Sequence, residues 1–156
     1  MGPPGGGRTF ITARLIRHFN VIAYTELNES IIHAIFTNLV KNFYRKFSES
    51  VRNALPKAIE SVISVYDRVR KELLPTPSKS HYTFNLRDMW RVFQGMCSAS
   101  SKYTPDAADL TRLWYHENMR VYHDRLTTEE DRKYMKDLLA SYFAEFGFEK
   151  EQVINV

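Results

Sequence analysis

With 156 residues, 44% of them apolar and 13% aromatic, the chain has material for one buried core and is excluded from the class of disordered tails. Its formal charge of +4 is spread by alternation of basic and acidic residues, which suits solvated helix faces better than a nucleic-acid footprint. Cys97 stands alone, which rules out an internal disulfide and leads us to expect a reducing compartment. No secretory-signal pattern is visible, and no apolar run approaches the ~20 residues of a membrane-spanning helix, so a soluble chain is expected.

The opening MGPPGGGR is loop composition, and it reads as a start inside something longer. A short amphipathic turn with Leu15, Ile16 and Phe19 leads into residues 20–26, where Val21, Ile22, Ala23 and Tyr24 read as one short buried strand. A single strand cannot satisfy its own backbone groups, so its sheet partners are expected outside this chain. Beyond it the pattern becomes helical. Asn28 caps a helix whose apolar positions Ile31, Ile32, Ile35, Phe36, Leu39, Val40 and Phe43 recur three and four apart.

A longer helix runs from about Ser48 through Leu55, Ile59, Val62, Ile63, Tyr66, Val69 and Leu73, with Pro56 marking either its first turn or a kink. Two prolines make residues 74–82 a loop. Asn85 caps the next helix, carrying Met89, Trp90, Phe93 and Met96, and Thr104 with Pro105 starts another that carries Leu110, Leu113, Trp114 and Val121. Thr127 and Glu130 have capping-box spacing for a last helix with Met135, Leu138, Leu139, Tyr142 and Phe146, closed at Gly147.

None of the local motifs completes an active site. The run Gly5, Gly6, Gly7 lacks the lysine and flanking elements of a phosphate loop, because no lysine occurs before Lys41. His116-Glu117 begins like a zinc-protease helix, but the position of the second histidine is Arg120, and His116 with His123 makes only a pair. Metal binding is therefore not expected. Glu129, Glu130 and Asp131 fall in a first helical turn, where negative charge complements the helix dipole.

Residues 73–96, LLPTPSKSHYTFNLRDMWRVFQGM, closely resemble the LLPTPxKxHYxFNLRDxxRVFQG signature of dynein heavy chains. MGPPGGGR, RLIRHFNVI and LWYHENMRVYHDRL agree with the same family in order and spacing, and the MGPPGGGR form is more similar to axonemal than to cytoplasmic dyneins. The resemblance covers nearly the whole chain. It implies a mainly α fold: a helical AAA+ lid bundle of about five to six helices, preceded by one short orphan strand from a truncated α/β subdomain. Residues 1–26 would end the α/β part of the third AAA+ module, residues 27–99 would form its lid, and residues 100–156 would connect toward the fourth module.

The same resemblance implies a segment of an ATP-driven microtubule motor of the ciliary or flagellar axoneme, with ATP or ADP and Mg bound in the intact motor. This chain lacks the phosphate loop and is not expected to hydrolyse ATP alone. Its implied partners are neighbouring AAA+ modules of the same heavy chain, and microtubules through other parts of the motor; neither nucleic acid nor membrane is implied. Arg87, in FNLRD, matches the sensor-two arginine that a lid helix points at nucleotide phosphates, the competing reading being a salt bridge to a carboxylate on another helix. Arg17 matches the position of an arginine finger toward the neighbouring module, with Arg14 as the competing candidate. Gly2 falls where hydrolytic modules carry a sensor-one asparagine, which argues against fast hydrolysis at this module, and Thr9 stands where many relatives carry asparagine. An autonomous helical interaction module is the alternative from a different class.

Overall fold

The computed structural model describes residues 11–23 and 27–148. The expectations placed on Gly2, on Gly5, Gly6 and Gly7, on Thr9 and on Tyr24 therefore lie outside the described residues. Six helices follow one another: α1 (Ala13–Ile16), α2 (Glu29–Phe43), α3 (Glu49–Glu72), α4 (Leu86–Met96), α5 (Ala107–Val121) and α6 (Glu129–Phe146). Single 3-10 turns, Tyr44–Lys46 and His123–Arg125, follow α2 and α5. The described residues contain no sheet, and the mainly α class holds.

Helix α3 is the central post, with α2, α4, α5 and α6 all packed against it. Its buried residues, among them Val51, Leu55, Ile59, Val62, Val65, Tyr66 and Val69, occupy more than one narrow stripe, as a helix with neighbours on several sides requires. Ser48 caps its start by accepting from the Val51 N–H, so the helix begins well before Pro56. Pro56 consequently sits in the helix interior, where it removes the hydrogen bond that the Arg52 carbonyl would otherwise receive.

Around this post the aromatic residues close the core. Phe36 of α2 stacks on Phe93 of α4 with ring centroids 4.5 Å apart, and Tyr44 donates its buried hydroxyl to the Met96 carbonyl at 2.7 Å. Trp114 is fully buried in α5 and meets Tyr142, Phe143 and Phe146 of α6. Gly95 lets α4 and α5 approach closely, because the Glu117 side chain occupies the space a Cβ would need.

Several local expectations are corrected. The strand expected over residues 20–26, with sheet partners outside this chain, is not shown: Val21 and Ile22 are 69% and 77% exposed, no described segment pairs with residues 20–23, and residues 24–26 lie outside the described residues. Helix α5 starts two residues later than Thr104 and Pro105 suggest, with Asp106 at the cap, and the Pro105 carbonyl instead accepts from the Ser48 hydroxyl. Helix α6 is capped at Thr128 and not Thr127, and neither it nor Asn28 of α2 makes a side-chain cap bond to the helix backbone. Gly147 does close α6 in the left-handed region, at φ 81°.

The apolar face of α2 divides in two. Phe36 and Val40 enter the core, whereas Leu27, Ile31, Ile35, Leu39 and Phe43, spaced four apart, remain 41–49% exposed. Trp90 of α4 sits on the same rim, 6.1 Å from the Phe36 ring and 42% exposed. An apolar stripe of this length along one helix is the kind of surface that another protein element covers.

Candidate functional site

The signature segment becomes a loop between α3 and α4 that is anchored from both sides. Pro75 and Pro77 prevent helix, and a tight turn closes where the Lys79 N–H donates to the Thr76 carbonyl at 2.9 Å. Tyr82 and Phe84, two residues apart, both point inward and are buried. The Tyr82 hydroxyl donates to Asp131 at 2.8 Å and accepts from the Thr127 N–H at 3.0 Å, tying the loop to the start of α6.

Asp131 is the acceptor at the centre of this contact. Lys79 Nζ reaches it at 2.6 Å, and the Thr128 hydroxyl donates to the same oxygen. Burial pushes the Asp131 carboxyl up, but the hydrogen bonds from Lys79, Thr128 and Tyr82 outweigh it and hold the carboxyl below its ordinary value. The hydrogen bond to Asp131 raises the Lys79 amine in turn. Asp131 is thus more than the dipole-complementing residue its position in the first turn suggests, because the tertiary structure delivers a lysine and a tyrosine to it.

Immediately downstream, Asn85 and Asp88 build a reciprocal cap. The Asn85 side chain accepts from the Arg87 N–H at 2.9 Å, while the Asp88 carboxylate accepts from the Asn85 N–H at 3.0 Å. Asp88 is 4% exposed and carries two further cations, Arg125 at 3.3 Å and Arg91 at 3.6 Å. A buried carboxylate needs such partners, since leaving it bare would cost several kcal/mol, of the order of ~3–5. Arg125 also donates to the His81 and Thr83 carbonyls at 2.7 and 3.1 Å and lies 5.0 Å over the Phe84 ring.

This scaffold leaves Arg87 at the second residue of α4 with its backbone bound and its side chain exposed. Among the described residues the Arg87 guanidinium makes no hydrogen bond, ion pair or ring contact, and the salt bridges near it belong to Arg91 and Arg125. An exposed guanidinium at the positive end of a helix provides paired donors suited to an anionic oxygen. Arg17 is the C-terminal cap residue of α1, which buries no residue, and its Nε donates to His18 at 3.2 Å. Arg14, one turn earlier, is also exposed. No hydrogen bond or ion pair joins either of them to the Arg87 scaffold among the described residues.

The histidine and carboxylate pattern of α5 has a structural explanation. Glu117 is buried and receives Nε and Nη2 of Arg120 at 2.9 and 2.6 Å, so the residue that spoils the zinc spacing is the partner that neutralises the glutamate. Lys79, Asp131 and Arg125 are the site residues that motif reading passes over. Asp88 was legible, because Asn85 and Asp88 have the N-to-N3 spacing of a capping box. Arg125 had no local signal, since its partners lie some forty residues earlier in the chain.

Among the described residues, six helices without a sheet, packed on a central post with an exposed arginine at a capped helix start, have the form of a small helical lid. Residues 58–150 match the AAA+ lid domain family model. The chain belongs to that family. It is 45% identical over 159 residues to Dynein axonemal heavy chain 1 of Mus musculus, an alignment covering 94% of this chain and 4% of that protein. The human Dynein axonemal heavy chain 1 is 46% identical over 151 residues, covering 89% and 4% respectively. Human Dynein axonemal heavy chain 2 is 41% identical over 147 residues, covering 92% and 3%. The chain is an AAA+ lid segment of the axonemal dynein heavy-chain type, and it spans about 4% of the length of the first two of these relatives.

Proposed function

We propose that this lid senses nucleotide in a dynein heavy-chain motor and relays its state between AAA+ modules of the ring. The observation that carries the reading is Arg87: an exposed guanidinium without a partner among the described residues, at the start of a helix whose cap is closed by Asn85 and Asp88. ATP or ADP with Mg, bound by the motor, would supply the phosphate oxygens; Arg87 fits them through paired charge-assisted hydrogen bonds. Those bonds draw α4 toward the phosphates, and because α4 packs on α3 and α5, the lid moves as a body. The sequence contains no GxxxxGK[ST] motif, so the phosphate loop belongs to another part of the motor.

The exposed stripe from Leu27 to Phe43 supports the relay half of the reading, as a surface against which a neighbouring module packs. Arg17, exposed on α1, is the candidate finger toward the adjacent nucleotide. An axonemal, cytoskeletal location and an indirect association with microtubules follow from the same reading. We place residues 27–99 as the lid proper and residues 100–156 as the connection toward the next module, after the end of an α/β subdomain in residues 1–26.

Replacing Arg87 by alanine in the heavy-chain motor tests the proposal. Loss of two charged hydrogen bonds predicts nucleotide binding at this module weakened by about tenfold or more, with slower nucleotide-dependent motility. Unchanged affinity and unchanged motility would sink it. The same exposed stripe also fits an autonomous helical interaction module, and the Arg87→Ala result separates the two, while titration calorimetry of this chain alone with MgATP tests the lid reading by itself. A lid without its phosphate loop binds weakly or not at all, whereas tight binding contradicts the lid reading.

A further inference from the structure

Arg125 lies in the 3-10 turn between α5 and α6, far in sequence from Arg87, yet its contacts converge on His81, Thr83 and Phe84 in the loop before α4 and on Asp88 at the helix start itself. Its guanidinium holds the His81 and Thr83 carbonyls at 2.7 and 3.1 Å and covers the Phe84 ring at 5.0 Å. Its other terminal nitrogen lies 3.3 Å from the Asp88 oxygen that accepts the Asn85 N–H. In return, the Arg125 carbonyl accepts from His81 Nε2 at 3.2 Å. One planar cation therefore spans two loop carbonyls and the capping carboxylate, and the side chain is only 29% exposed.

We propose that Arg125 is a positioning residue for Arg87: it locks the α3–α4 loop and the Asn85–Asp88 cap to the α5–α6 turn, and so sets the direction in which Arg87 leaves α4. This rests on the reading of Arg87 as the phosphate contact and adds the regulation of that contact. Movement of the α5–α6 turn is transmitted to the helix start through fixed hydrogen bonds, because a guanidinium fork holds orientation as well as charge. Arg91 lies farther from Asp88, at 3.6 Å, and touches neither loop carbonyl, so it can neutralise the carboxylate but cannot orient the loop.

The test is a double-mutant cycle in the heavy-chain motor, reading MgATP affinity for the wild type, Arg87→Ala, Arg125→Gln and the pair. If Arg125 acts through Arg87, Arg125→Gln weakens binding severalfold in the presence of Arg87 and adds nothing once Arg87 is alanine. An Arg125→Gln loss that is equal in both backgrounds would show a general effect on the fold and overturn the proposal. So would wild-type affinity for Arg125→Gln alongside a weakened Arg87→Ala, which leaves the reading of Arg87 intact. No effect of Arg87→Ala overturns both. Arg125→Lys covers the case in which the glutamine variant does not fold: lysine keeps the charge beside Asp88 without the fork, and it is expected to weaken binding as well. Full wild-type affinity with lysine would refute positioning by the guanidinium.

Discussion

Substituting alanine at Gly95 probes the closest approach of α4 and α5. A Cβ there would stand 2.9 Å from Glu117 Cγ and closer still to its carboxylate, so the glutamate must move. It has little freedom to do so, being 9% exposed at the side chain and held by two hydrogen bonds from Arg120. Displacing those charged bonds costs about 1.5–3 kcal/mol, while alanine in place of glycine recovers about 1 kcal/mol of helix propensity. The net loss is about 0.5–2 kcal/mol, and for a chain of this size that lowers the melting temperature by about 1–8 °C. Thermal unfolding followed by far-UV circular dichroism measures it. In a Glu117→Ala background the obstacle is gone, and Gly95→Ala should become neutral or stabilising by up to ~1 kcal/mol. Gly95→Ala melting at or above the wild-type temperature, or showing the same effect in both backgrounds, would refute the account of this crossing.

Pro56 is exposed inside α3, so Pro56→Ala restores a helical hydrogen bond to the Arg52 carbonyl without removing core packing. Set against the loss of the proline's restriction on the unfolded chain, the gain is about 2 kcal/mol, seen as a higher urea midpoint; an unchanged or lower midpoint contradicts it. Asp131 gives a pH dependence. Its folded carboxyl is held below the ordinary value, so the unfolded state takes up the proton first as pH falls. The stability it contributes is present above the unfolded carboxylate range, near ~4, and is lost as pH falls through the lower folded value. Acid unfolding of Asp131→Asn should therefore be shallower than that of the wild type, and parallel curves would exclude Asp131 as a source of acid sensitivity. Tyr44→Phe removes the buried hydroxyl donor to the Met96 carbonyl, which keeps the Ala99 N–H at 3.2 Å, and should cost about 0.5–1.5 kcal/mol in the same urea assay, where an unchanged midpoint would show the bond to be without net value.

The comparison with known proteins and the geometry meet at α4. The likeness to axonemal dynein heavy chains rests on most of the chain, and the AAA+ lid match covers α4, α5, α6 and the greater part of α3. The loop in the signature segment has a physical purpose that its wording does not reveal. Tyr82 and Lys79 attach it to Asp131, while Arg125 holds the His81 and Thr83 carbonyls just before α4. The segment is best understood as a bracket that carries the exposed Arg87.

Apolar periodicity alone located the five long helices, because burial on a 3.6-residue repeat leaves its mark in any stretch of ten or more residues. Gly147 and Asn85 were equally legible, since left-handed closure and side-chain capping depend on neighbours within one turn. Composition could not say which half of α2's broad apolar arc faces the core, nor that residues 21–23 go unpaired among the described residues, because both depend on what lies alongside. Pro56 had two local readings, and the Ser48 cap chose between them. The site itself was decided by tertiary structure. Asp88 becomes a buried acceptor because the α5–α6 turn brings Arg125 back onto the loop before α4, Asp131 becomes a partly buried one because the same packing delivers Lys79 and Tyr82 to it, and Arg87 is left without a partner among the described residues. Contacts between residues some forty positions apart are set by how helices pack, and no local pattern encodes them.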